Sequence, residues 1–205
     1  MKILHTADWH LGKRLDNFSR MEEQRNAMDE IVAIADAESV DMVLVAGDFF
    51  DSFNPPVEAV DLFYKTLKRL SKDGLRPVVA IAGNHDSPSL IDAPDPLAKA
   101  CGIILIGQPN AIVTPFSLDN FEITKTDKGF LEIRLKNIAF SIRLLHTAYA
   151  NAQRLKENLG ENKEENLNKI LADNWQAIAD QYCDAEGVNI LTAHLYMNKK
   201  GSHLI

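Results

Sequence analysis

The feature that most restricts the fold is an alternation of short apolar runs with longer amphipathic stretches. Candidate strands lie at Lys2–Thr6, Asp41–Ala46, Pro77–Ala82 and Ile103–Ile106, and candidate helices fill the gaps at Ser19–Glu38 and Pro56–Lys72. A shorter helix fits within Ser89–Ala100, where Pro94 and Pro96 limit its growth. Met28, Ile31, Val32 and Ala35 mark one face of the first long helix at the expected period. Pro55-Pro56 opens the second, and Gly74 closes it. Strands joined by helices in this way pair in parallel through right-handed crossovers.

The middle of the chain changes character. Phe121–Thr126, Phe130–Leu135 and Ile138–Ile142 read as short antiparallel strands, with Lys128-Gly129 as a turn, and they predict a second sheet packed on the first. A polar helical region follows from Gln153 to Glu186, interrupted near Gly160. Its Leu167, Leu171, Trp175, Ile178 and Tyr182 form one apolar stripe. Asn189–Ala193 supplies one more strand. The expected architecture is therefore α/β, a single domain over residues 1–205.

Totals exclude several classes. With 46% apolar and 25% charged residues, the chain has ordinary globular proportions. Its longest apolar runs, Met42 to Ala46 and Ile103 to Ile106, are strand-sized and fall far short of the roughly 20 residues of a membrane span. Cys101 and Cys183 belong to no Cys-x-x-Cys pair, which argues against a thiolate metal site and fits a reducing, cytoplasmic setting. The net charge of −7 argues against a protein that coats DNA non-specifically, but not against an enzyme that touches DNA locally.

Four of the apolar strands end in metal-binding side chains: Asp8-Trp9-His10, Gly47-Asp48-Phe49-Phe50-Asp51, Gly83-Asn84-His85-Asp86 and Ala193-His194. In open α/β sheets ligands bind at the carboxyl ends of strands, so these groups can converge on one pocket. Carboxylate and amide oxygens mixed with imidazole, without thiolate, suit manganese, iron or zinc better than calcium. A lone carboxylate at the second strand end can bridge two ions roughly 3.5–4 Å apart. Each motif alone is weak: Asp-x-His is common, and Gly-Asp-x-x-Asp can be a cap or turn. Their joint order, each directly after an apolar strand, favours the functional reading.

Asp8-x-His10, Gly47-Asp48-x-x-Asp51 and Gly83-Asn84-His85-Asp86 resemble the calcineurin-like metallophosphoesterase superfamily. The longer wording His5-Thr6-Ala7-Asp8-Trp9-His10-Leu11-Gly12, with Val45 to Asp51 and Ala82 to Ser87, is similar to its DNA-repair nucleases. The resemblance is strongest over residues 1–108, resumes near 190–196, and is one of layout between them. It implies a two-sheet sandwich flanked by helices, two divalent metal ions (Mn2+ first among them), and exonuclease and hairpin endonuclease activity on DNA. It also implies an ATPase partner and a homodimer. By position, Asp8 and His10 would hold one metal, Asn84 and His194 the other, and Asp48 would bridge. His85 would be the catalytic residue, with Asp51 and Asp86 behind the ligands; for Asp86 a simple turn role is equally open. The family's final Gly-His-x-His is absent, and Ala193 stands where a glycine is usual. The expectation is a chain incomplete at its C-terminal end, with weakened metal occupancy and reduced activity.

Other residues carry less. Lys13, Arg14 and Arg20 could contact the DNA backbone, or simply belong to a solvated loop. His5 is expected to pack within its strand, His146 has no partner motif, and His203 stands alone. Leu62 falls outside the apolar arc of the second helix and would be exposed on a monomer, as would Leu90 and Ile91 in a Pro-rich loop, which favours a homodimer. Two other functions stay open: hydrolysis of a small phosphate ester, and a non-catalytic dimerising scaffold for the ATPase.

Overall fold

A computed structural model describes residues 1–196. In chain order its elements are β1 (Ile3–Thr6), β2 (Arg14–Leu15), β3 (Phe18–Ser19), α1 (Met21–Ala37), β4 (Met42–Ala46), α2 (Val57–Ser71), β5 (Val78–Ile81), α3 (Pro88–Asp92), α4 (Asp95–Ala100) and β6 (Ile103–Ile106). There follow β7 (Phe116–Ser117), β8 (Phe121–Asp127), β9 (Phe130–Leu135), β10 (Ile142–Thr147), α5 (Ala152–Leu155), α6 (Lys163–Tyr182) and β11 (Val188–Ala193).

One sheet is wholly parallel, in the order β1-β4-β5-β6. Its inner strands β4 and β5 are buried along their whole length, as continuous apolar runs covered on both faces must be. The second sheet runs β11-β10-β9-β8-β7. It is antiparallel except at β10 and β11, which pair in parallel from Ile142 opposite Val188 to Thr147 opposite Ala193. A single buried cluster joins both sheets, through Val43, Val79 and Ile104 of the first and Ile123, Leu131 and Leu144 of the second. With helices flanking it, this is the expected two-sheet α/β sandwich.

The helices α1 and α2 lie close to their expected limits and pack against each other. That contact corrects one expectation. Leu62 is buried, because α2 leans on α1 as well as on the sheet, and the groove between the two helices is lined by Arg25, Asp29, Leu62 and Thr66. Ile91 is also fully buried and Leu90 half-buried, since α3 packs on β6. The exposed leucines that suggested a homodimer are therefore not exposed. Arg76 stitches the far ends of α1 and α2 from inside, donating to Ala35 O (2.9 Å), Leu70 O (2.5 Å) and Asp36 Oδ1 (2.9 Å). Burial by itself would raise the Asp36 carboxyl pKa, but the Arg76 and Lys72 cations together outweigh it and hold the group below its ordinary range.

The strand expected at Ile138–Ile142 lies instead at Ile142–Thr147. It is buried throughout but carries Arg143 and His146, which masked it as a strand. Arg143 is neutralised by a bidentate pair with Asp184 (2.6 and 2.7 Å) and by Glu132 at 3.7 Å. On α6 only Leu171 of the apolar stripe is fully buried. Trp175 ties the helix to β10 through Thr147 Oγ1 at 2.9 Å, and Tyr182 stacks on Phe130 with ring centroids 4.2 Å apart.

His146 is fully buried and, among the described residues, neither ring nitrogen has a hydrogen-bond partner. Burial pushes its pKa down to about 4. The unfolded chain therefore binds a proton below its ordinary value near 6.5 while the folded one stays neutral until about 4. Stability from this residue is complete above that window and is lost as pH falls through it, by up to about 3 kcal/mol. Urea unfolding at pH 7 and pH 4.5 should show His146→Leu losing distinctly less stability on acidification than the parent. Equal losses would remove His146 as a cause.

Candidate metal centre

Parallel neighbours end on the same side, so β1, β4 and β5 deliver their loops to one edge. The first two loops run together: Asp8 N donates to Gly47 O (3.0 Å), His10 N to Asp48 O (3.0 Å) and Leu11 N to Phe49 O (2.9 Å). Asp8, His10 and Asp48 all adopt the left-handed backbone region, at φ of 58°, 45° and 51°. That conformation costs of order 1–3 kcal/mol per non-glycine residue and persists where surrounding contacts enforce it, as at functional sites. Gln24 of α1 helps, accepting from Gly12 N (3.0 Å) and donating to His10 O (3.1 Å).

The expected ligands converge. Asp48 Oδ2 lies 3.8 Å from His10 Nε2 and 3.6 Å from His194 Nε2, and Asp8 Oδ1 lies 3.9 Å from His10 Nε2. His194 Nε2 lies 3.1 Å from Asn84 Oδ1. Asp8, Asp48 and His194 offer ligand atoms within 4.8 Å of one another, and His10, Asp51 and His85 form a second such group beside them. Asp48 thus stands between the two imidazoles, as a bridging carboxylate would.

The donors and acceptors around His194 suit a cation. Ala46 O can only accept, so His194 Nδ1, at 2.8 Å, must carry the ring proton. In the neutral ring Nε2 is then a bare lone pair, facing the Asn84 carbonyl oxygen and the Asp48 carboxylate. A neutral imidazole there offers a metal ion a nitrogen lone pair beside two oxygen donors. The residues present therefore fit a divalent metal, and their oxygen and nitrogen donors suit a transition ion.

His85 Nδ1 lies 2.8 Å from Asp51 O and must donate to it, which turns Nε2 away from that carbonyl and leaves it available for chemistry. Its backbone N–H donates to Asp48 Oδ1 at 2.9 Å. The Asp51 carboxylate lies 3.6 Å from His10 Nδ1 and 3.1 Å from Lys13 Nζ. Among the described residues Asp86 hydrogen-bonds no histidine. Its fully buried carboxylate accepts from the backbone N–H groups of Gly83 (2.7 Å), Phe50 (3.0 Å) and Phe49 (3.2 Å), tying the β4 and β5 loops together. Burial pushes the Asp86 carboxyl pKa up, and these three bonds oppose the shift.

Lys13, Arg14 and Arg20 lie on or beside the exposed β2–β3 hairpin, engaged by Asp51, Asn17 O and Glu23 respectively. Leu15 and Phe18 of the hairpin are exposed between them. His5 is exposed rather than packed, because β1 is an edge strand, and it lines the cavity of about 400 Å³ that holds the ligands. Tyr149 and Tyr196 also line it. Neither aromatic belongs to a motif, and nothing in the sequence signals their place. His203 lies outside the described residues.

Comparison with known proteins agrees with this geometry. The family model for calcineurin-like phosphoesterases matches residues 1–200. The chain is 37% identical over 204 residues to the SbcD component of nuclease SbcCD from Bacillus subtilis, covering 96% of this chain and 47% of that protein. To the protein of the same name from Rhodobacter capsulatus it is 41% identical over 130 residues, 63% of this chain and 32% of that one. The chain thus spans about half the length, or less, of these curated relatives.

Proposed function

The chain belongs to the calcineurin-like phosphoesterase family, and from that premise we propose that it is the phosphoesterase part of a DNA nuclease of the SbcD type. The reading includes two divalent ions, manganese the preferred one, and hydrolysis of phosphodiesters at DNA ends and hairpins in the course of repair. Its partners are DNA, an SbcC-like ATPase and a second copy of the chain; the homodimer now rests on the family resemblance alone. The observation that carries the proposal is the convergence of His10, His194, Asn84 and Asp8 on the buried Asp48 carboxylate. No helix among the described residues is long and apolar enough to cross a membrane.

When bound, the ions would supply positive charge at the phosphoryl oxygens and acidify the attacking water. The protein's own groups do the rest. Asp8, His10, Asp48, Asn84 and His194 line the cavity together and would hold the ions. In hydrolysis a water oxygen bonds to phosphorus as the bond to the sugar oxygen breaks, and that leaving oxygen needs a proton. His85 in its imidazolium form can give one from Nε2, while Asp51 O fixes the ring through Nδ1. Lys13, Arg14 and Arg20 lie on the adjoining hairpin, where phosphates flanking the scissile one could exchange for their present partners.

The test is manganese-dependent cleavage of end-labelled duplex and hairpin DNA beside a small diester and a monoester. It should be run on this chain and on one of the relatives' length. DNA cleavage that falls about 10²–10⁴-fold in His85→Ala is the expected outcome. A monoester cut far faster than any diester would sink the nuclease reading. Binding of the ATPase without cleavage of any substrate would leave a scaffold in its place.

A further inference from the structure

We propose that Arg154, from outside every motif, is the positioning residue that sets Asn84 and His85 against the metal ligands; this rests on the proposed site and deepens it. Its guanidinium donates from Nη1 to Gly83 O at 2.9 Å and from Nη2 to Asp86 O at 2.8 Å. Those two carbonyls bracket the pair Asn84-His85 on either side. A planar fork with fixed spacing between its nitrogens can hold both at once, whereas a lysine ammonium offers a single point of attachment.

The arginine is itself held. Asn151 caps α5 and accepts from Arg154 N at 2.8 Å, which fixes where the side chain departs. The guanidinium carbon lies 5.1 Å from the ring centroid of Tyr149, a residue that lines the cavity, and Tyr149 N donates to Ala82 O at 2.8 Å. Asp86 grips the same loop from below through Gly83 N. The ligand loop is therefore held at two carbonyls by Arg154 and at the Gly83 amide by Asp86, while Asn84 and His85 line the cavity. Arg154 touches none of the reacting groups and acts through the loop.

Two measurements on the chain separate this role from simple packing. The first is manganese titration. The second is the ring-nitrogen shifts of His85 and His194 in the metal-free chain, since His194 Nε2 faces Asn84 Oδ1 and His85 Nδ1 faces Asp51 O. Arg154→Met is expected to weaken manganese binding about 10–100-fold and to move both ring signals, and Arg154→Lys to recover part of each. Unchanged affinity with unchanged ring signals would overturn the inference. So would a lower melting temperature in both variants with ring signals unmoved, which would make Arg154 a structural strut. Failure of the underlying site reading looks different: the unsubstituted chain would take up no manganese.

Discussion

Asp48→Asn is expected to reduce metal-dependent cleavage by roughly a thousandfold or more, since even changes behind the ligands cost about 10–100-fold. Asp48 is 4% exposed, and its Oδ2 lies within 4 Å of both His10 Nε2 and His194 Nε2. No other carboxylate among the described residues faces both imidazoles this closely. The asparagine keeps an oxygen for the His85 N–H, now 2.9 Å from Oδ1, so the loop geometry should survive. It removes the negative charge that a second cation requires. The metal-free protein should melt within a few degrees of the parent, while manganese uptake and cleavage collapse together. Cleavage at a tenth of the parental rate or better would mean that Asp48 does not bridge.

Gly83→Ala and Gly47→Ala should do damage of a different kind, by steric force alone. A β-carbon on Gly83 would sit 2.1 Å from Asp48 Oδ1 and 2.2 Å from Asp48 N, far inside contact distance. One on Gly47 would sit 2.2 Å from His194 Nδ1, displacing the ring from Ala46 O, at a residue whose φ is +90°. Overpacking and left-handed strain together cost roughly 3–5 kcal/mol at Gly47, and overpacking alone about 3 kcal/mol at Gly83. Against a typical domain stability of about 5–15 kcal/mol, either change takes a large share. Urea midpoints for both variants should fall sharply, and whatever remains folded should bind manganese poorly. Parental midpoints would show that the two loops have room the packing denies them.

The first sheet and its ligands were legible because both signals are local. β4, β5 and β6 are continuous apolar runs, and each ligand group follows its strand within a few residues, so one pattern marks the wall and the next marks the site. Parallel pairing then brings Asp8, Asp48 and Asn84 to one edge without further information. His194 arrives from the other sheet, yet it too was announced locally, as the residue that directly follows the strand ending at Ala193. Elsewhere local signals misled. In β10 the residues Arg143 and His146 broke the apolar pattern, because neutralisation of Arg143 comes from Asp184, a distant partner. Leu62 read as exposed because helical periodicity knows the sheet it packs on, not the second helix beside it. The two-residue strands of the β2–β3 hairpin were too short to leave any periodicity.

The interactions that hold the site were the least legible. Asp86 read equally as a support behind the ligands and as a turn residue, and its carboxylate reaches back to Phe49 and Phe50. Arg154 reaches Gly83 across 71 positions. Gln24 supports the His10 loop from the first turn of α1. None of these changes a motif or a period; they exist only once the tertiary structure has brought the segments together.

Whether Asp48 sits between two cation positions is tested most directly by manganese titration followed by electron paramagnetic resonance. Two ions per chain, the second producing the spin-coupled signal of a bridged pair that Asp48→Asn abolishes, is the predicted result. A single uncoupled ion, or a coupled pair that persists in Asp48→Asn, would contradict it.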